Sequence, residues 1–81
     1  MLAEVFRMMP EDAQEMIASL EPWELRLAQL LVYGGTTDEA VRLMGTTRQG
    51  LYDMRRQIAA KVGGIENLGR VWFLAKMAAR P

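Results

Sequence analysis

Apolar residues recur along this chain at steps of three and four, and the pattern breaks only at glycines, prolines and threonines. That period is helical. Leu2, Val5, Phe6 and Met9 make one stripe, and Ala13, Met16, Ile17 and Leu20 make another. The spacing predicts a helical segment over about 2–20, either two short helices or one kinked near Pro10. Proline fits the first turn of a helix. Glu11, Asp12 and Glu15 suit the positive end of that helix. A further helix is expected from about Pro22 to Tyr33. Trp23, Leu27, Leu30 and Leu31 share one face of it, and Gly34-Gly35 stops it.

Two threonine starts follow. Thr36-Thr37-Asp38-Glu39 reads as a capping box, with Thr36 as N-cap and Glu39 three residues on. The helix it opens is short, because Gly45 closes it. Thr46-Thr47-Arg48-Gln49 fits the same pattern, and Thr47 serves equally well as the cap. The helix beyond runs to about Val62, with Leu51, Met54, Ile58 and Val62 inward, and Gly63-Gly64 ends it. A last helix over roughly 65–79 turns Ile65, Leu68, Val71, Trp72, Leu74 and Ala75 inward. Phe73 and Met77 widen its apolar arc beyond one face. No stretch alternates with period two, so no strand is expected.

Composition narrows the chemistry. The chain has 81 residues, 51% of them apolar, with no Cys and no His. That length allows one domain near the lower limit for a self-sufficient core. Without His or Cys there is no imidazole base, thiolate nucleophile, redox pair or zinc set. Ser19 is the single serine and has no activating base near it in sequence. An enzyme confined to carboxylates needs a pocket, and so small a domain has little interior to spare. The sequence therefore predicts no enzyme, no cofactor and no metal. The longest uncharged run, Leu27 to Thr37, is too short to cross a bilayer. Glu4 and Arg7 interrupt the first apolar turns, unlike a signal peptide. A cytoplasmic protein is expected.

Charge is balanced overall but divided along the chain. Residues 1–24 hold six acidic groups against Arg7, whereas residues 25–81 hold nine basic and four acidic. Arg48, Arg55, Arg56 and Lys61, with Asp53 among them, form the densest basic stretch. Such asymmetry fits either a half that faces a polyanion or ordinary solvated helix faces.

The stretch 36–62 joins these signals: a short capped helix, a tight glycine turn and a longer helix, the order of a helix-turn-helix unit. In that unit the second helix, here about 47–62, enters the major groove of DNA. Residues off its apolar stripe face outward. Arg48, Gln49, Tyr52 and Arg55 are the candidates for base contact, since Arg suits guanine and Gln suits adenine. Thr36, Thr37, Thr47, Arg56 and Lys61 are the candidates for phosphate contact.

Residues 20–75 resemble the LuxR-type (GerE-like) helix-turn-helix domain. The family's Leu-Thr-Pro-x-Glu opening is met by Leu20-Glu21-Pro22-Trp23-Glu24, and its Leu-Leu-x-x-Gly by Leu30-Leu31-Val32-Tyr33-Gly34. Glu39-Ala40-Val41-Arg42-Leu43-Met44-Gly45 is similar to its first core helix. Thr47-Arg48-Gln49-Gly50-Leu51 is similar to the start of its recognition helix, and Ile58-Ala59-Ala60-Lys61-Val62-Gly63 to the end. The chain departs from the pattern at Val41, where the family has alanine. It departs again at Gly50-Leu51 for threonine-valine, Tyr52 for lysine and Met54 for histidine. Asp53 adds a carboxylate that opposes phosphate.

The resemblance implies an all-α fold: a small helix-turn-helix bundle of four core helices over 21–81, with an extra N-terminal helical segment over 1–20. It implies a stand-alone regulator of transcription that binds double-stranded DNA. It also implies a homodimer through the last helix, with Leu68, Trp72 and Phe73 as interface candidates; the alternative is that the N-terminal segment covers that face. A related resemblance is to the fourth region of bacterial sigma factors. A second function fits the same residues: a protein-interaction module, an anti-activator or co-activator that touches RNA polymerase or another regulator. Zero net charge, Asp53, Gly50 and the acidic first 24 residues favour it.

Overall fold

Proline and threonine set the helix starts in the computed structural model, which describes residues 8–79. The stripe of Leu2, Val5 and Phe6 lies outside the described residues. Five α-helices follow in order: α1 (Pro10–Ala18), α2 (Pro22–Val32), α3 (Thr37–Met44), α4 (Arg48–Val62) and α5 (Leu68–Ala78). A 3-10 turn, Ile65–Asn67, precedes α5. The described residues contain no strand, and the fold is all-α.

Pro10 and Pro22 each occupy the first turn of a helix, where a missing N–H costs nothing. At α2 the Glu24 carboxylate turns back to accept the Glu21 N–H at 2.7 Å. Thr36 and Glu39 form the expected reciprocal cap of α3. Thr36 Oγ1 accepts the Glu39 N–H at 3.1 Å, and Glu39 Oε1 accepts the Thr36 N–H at 3.2 Å. The second start resolves onto Thr47, whose Oγ1 accepts the Gly50 N–H at 3.1 Å. Thr46 lies against Gly50, where a Cβ would collide with the Thr46 hydroxyl. Glycine at 50 thus lets the turn close tightly, whatever it costs in helix propensity.

Gly45 and Gly63 close α3 and α4 in the left-handed conformation, at φ +63° and +80°. Other residues reach that region only with strain. The predicted helix over 65–79 is divided in the structure. Asn67 donates its side-chain amide to the Gly63 carbonyl at 2.7 Å, and its backbone N–H reaches Gly64 O at 3.1 Å. Those bonds hold 65–67 as a tighter turn, and regular α-helix begins only at Leu68.

Leu27, Leu51, Ile58, Val62, Leu68 and Val71 are fully or almost fully buried, and Trp72 and Ala75 nearly so. Each buried aliphatic side chain contributes about 1.5–3 kcal/mol. Helix α1 lies along α5, with Ala13 wholly buried and Met16 and Ile17 half-buried. The N-terminal helix therefore covers part of the last helix. Trp72 donates its indole N–H to the Tyr33 hydroxyl at 3.3 Å, which ties the end of α2 to α5. Among the described residues no helix is long and apolar enough to cross a membrane.

Candidate nucleic-acid interface

Helix α4 is held by one face. Leu51, Ile58 and Val62 are at most 1% exposed, and Met54 is half-buried beside them. A helix advances about 100° per residue. The direction opposite that buried stripe therefore runs through Gln49, Asp53, Arg56 and Ala60. All four are exposed. They form the crest of α4, with Arg48 and Tyr52 on one flank and Gln57 on the other.

Most of the sequence candidates reach this ridge. Arg48, Gln49, Tyr52 and Arg56 are exposed on it, and Thr47 stands at its start. Thr47 uses its oxygen to cap α4 and keeps its hydroxyl proton for an external acceptor. Arg55, expected at the base-reading face, is turned to one side and half-buried. It borders a cleft of about 280 Å³ with Leu31, Val32, Ile65, Leu68 and Gly69. Its buried Nε has no hydrogen-bond partner among the described residues. The reason is angular: residue 55 follows Leu51 by four, so it leans toward the core stripe.

Lys61 also lies off the ridge. Its ammonium sits 2.6 Å from Glu24 Oε1 and donates to the Ser19 carbonyl at 3.3 Å. Glu24 is 1% exposed. Burial pushes its carboxyl up, but bonds from Lys61 and the Glu21 N–H, with the Lys61 charge, outweigh that and hold it below the ordinary value. Lys61, still partly exposed, is thereby held to Glu24 and away from the ridge. Sequence reasoning missed Glu24, although a signal was present. Positions 24, 27, 28 and 31 are spaced as one helical face, and an acid on an apolar face needs a cation.

Thr36 and Thr37 stand at the start of α3, well supplied with negative charge. The Thr36 hydroxyl donates to Glu39 Oε1 at 2.9 Å. That bond, with the Thr36 N–H, holds the Glu39 carboxyl below its ordinary value. Thr37 is half-buried. Asp38 of the same turn pairs with Arg48 at 2.7 Å, both side chains well exposed. The first turn of α4, in contrast, holds no acid. The start of α3 thus opposes an anion, and the start of α4 carries no acid of its own but has the Asp38 carboxylate against Arg48.

The dimer candidates separate as well. Leu68 and Trp72 belong to the core, and Phe73 is 65% exposed. Met77, one turn later on the same outward line, is 48% exposed. Among the described residues no cluster of acidic side chains could hold a metal ion. Comparison with family models, with curated proteins and with solved structures finds no match for this chain.

Proposed function

We propose that this protein is a small cytoplasmic regulator of transcription that lays α4 in the major groove of double-stranded DNA. One observation carries the reading. The crest Gln49–Asp53–Arg56, flanked by Arg48 and Tyr52, is exposed along a helix whose opposite face is locked in the core. A rigid ridge of hydrogen-bonding side chains is what base-edge reading requires. The acid-free first turn of α4 and the Thr47 hydroxyl suit a phosphate at its end. Similarity to LuxR-type domains in the pattern of turns and caps supports the same reading, and Phe73 with Met77 supports pairing of two copies through α5.

The test is fluorescence anisotropy with a pool of random duplexes. Binding at low salt should weaken linearly in log K against log salt, with a slope of about −0.9 for each phosphate neutralised. Absence of binding at low salt ends the proposal.

A second reading is favoured by a separate observation. Asp38 and Asp53 each pair with an arginine of the ridge. That leaves the ridge with little net charge, as suits a protein partner. Arg48→Ala with Arg56→Ala separates the two: DNA retention is lost under the first reading, and partner binding persists under the second.

A further inference from the structure

The acid on the crest of α4 is the residue that fits a phosphate-binding helix least. Asp53 stands between Gln49, one turn before it, and Arg56, one turn after it. Its carboxylate meets Arg56 Nη2 at 3.4 Å, with the two side chains 54% and 74% exposed. The contact is long and open to water, so it holds neither group firmly. Arg48 is different, drawn to Asp38 at 2.7 Å. The pair on the crest is therefore the one whose partners are most easily exchanged.

We propose that Asp53 and Arg56 together form the specificity element of the ridge and recognise a single C·G base pair. The inference rests on the DNA-binding reading above. A carboxylate only accepts hydrogen bonds, and a guanidinium only donates them. In the major groove a C·G pair presents the cytosine N4 amino donor beside the O6 and N7 acceptors of guanine. Asp53 takes the amino group, and the fork of Arg56 takes the two acceptors. An A·T pair also has an amino donor, on adenine, but no base in it offers the fork two acceptors. A mismatched pair therefore leaves one partner facing a group of its own kind, which is discrimination by repulsion as well as by fit. Asp53 weakens attraction to the backbone everywhere and restores binding at one base pair. Gln49, on the same crest, lies within reach of a neighbouring pair.

The experiment is selection of sites from a randomised duplex pool by the wild type, Asp53→Ala, Asp53→Asn and Arg56→Lys. Thermal melts by circular dichroism check that each variant is folded. The wild-type sites should share a fixed C·G pair. Asp53→Ala should bind the unselected pool more tightly and lose about tenfold of its preference at that pair. Asp53→Asn keeps one acceptor for the cytosine amino group but loses the charge and gains a donor, so with Arg56 still on guanine it should keep the same C·G pair with a weaker preference. Arg56→Lys keeps the charge without the fork and should blur the same pair. Sites selected by Asp53→Ala with an undiminished preference for the wild-type C·G pair would overturn the inference while leaving DNA binding intact. Asp53→Asn is the variant to compare if the alanine protein does not fold. A wild type that retains no duplex defeats the DNA reading first, and this inference with it.

Discussion

Lys61 and Arg56 stand five residues apart on α4, each beside a carboxylate, yet the two pairs differ in every quantity that sets an ion pair's worth. Glu24 is 1% exposed and lies 2.6 Å from Lys61, which also holds a backbone carbonyl. Asp53 and Arg56 are 3.4 Å apart and mostly in water. In the first pair Glu24 has given up its hydration while Lys61 stays partly in water, so removing Lys61 strands a buried charge. The second has given up little and contributes little. The comparison teaches that burial, more than a count of basic residues, decides which cations of this helix can meet a partner. The four basic residues of α4 divide into Arg55 and Lys61, turned toward the core edge, and Arg48 and Arg56 on the ridge.

The largest effect should come from breaking the inner pair. Lys61→Met should lower stability by about 2–3 kcal/mol, below the cost for a fully buried pair because Lys61 keeps some contact with water. Arg56→Met should change stability by no more than about 0.5 kcal/mol. Urea denaturation of both variants measures the contrast, and equal losses would erase it. Adding Glu24→Gln to Lys61→Met should recover part of the loss, since glutamine can still accept the Glu21 N–H.

Acid titration sharpens the same contrast. The Glu24 carboxyl is held below its ordinary value in the folded protein. Its contribution to stability is therefore complete above the unfolded carboxylate range, near pH 4, and is lost as pH falls through the lower folded value. In Lys61→Met the burial that pushes the carboxyl up is no longer opposed by the ammonium. Acid unfolding of that variant should then begin at higher pH than in the wild type. An unchanged acid midpoint, followed by far-UV circular dichroism, would mean that Lys61 is not what holds Glu24 charged.

The difference between the two pairs was only half legible in the sequence. The helices, their proline and threonine starts and their glycine ends follow from local chemistry, and the structure reproduces them closely. The inward sets Leu51/Ile58/Val62 and Leu68/Val71/Trp72 follow from spacing. What spacing leaves open is the angle within the outward arc. Arg55 and Arg56 both lie off the apolar stripe, and only packing against Ile65 and Leu68 shows that Arg55 leans in. Lys61 reads as one more basic residue until the fold brings Glu24 to it across 37 positions. The start of α5 is hidden from apolar periodicity because Asn67 bonds backward to Gly63, a contact that spacing does not register.

On the ridge the contrast should show in DNA binding instead of stability. Arg48→Ala with Arg56→Ala should weaken duplex binding about tenfold or more at moderate salt and reduce the salt slope by about two. Lys61→Gln, measured at a temperature where it is folded, should leave that slope unchanged. If Lys61→Gln flattens the slope as much as the arginine changes do, then the inner pair opens on binding and the division between the two cations is false.

The smallest effect on the folded protein, and the sharpest contrast between neighbours, is expected on α5. Trp72 is 7% exposed and bonded to Tyr33, whereas Phe73 beside it is 65% exposed. Phe73→Glu removes no core contact, so stability should shift by about 0.5 kcal/mol or less. Phe73 and Met77 lie one turn apart on the outward line of α5, away from the face that α1 covers. If two copies pair through that line, Phe73→Glu places a carboxylate against its own counterpart across the two-fold axis, where like charges oppose association. Sedimentation velocity over a range of concentrations should then show a dimer for the wild type and a monomer for Phe73→Glu, with unfolding midpoints that barely differ. A wild type that stays monomeric throughout would remove the α5 interface while leaving the ridge of α4 untouched. Each copy would then meet its partner alone, and a palindromic site would lose its geometric reason.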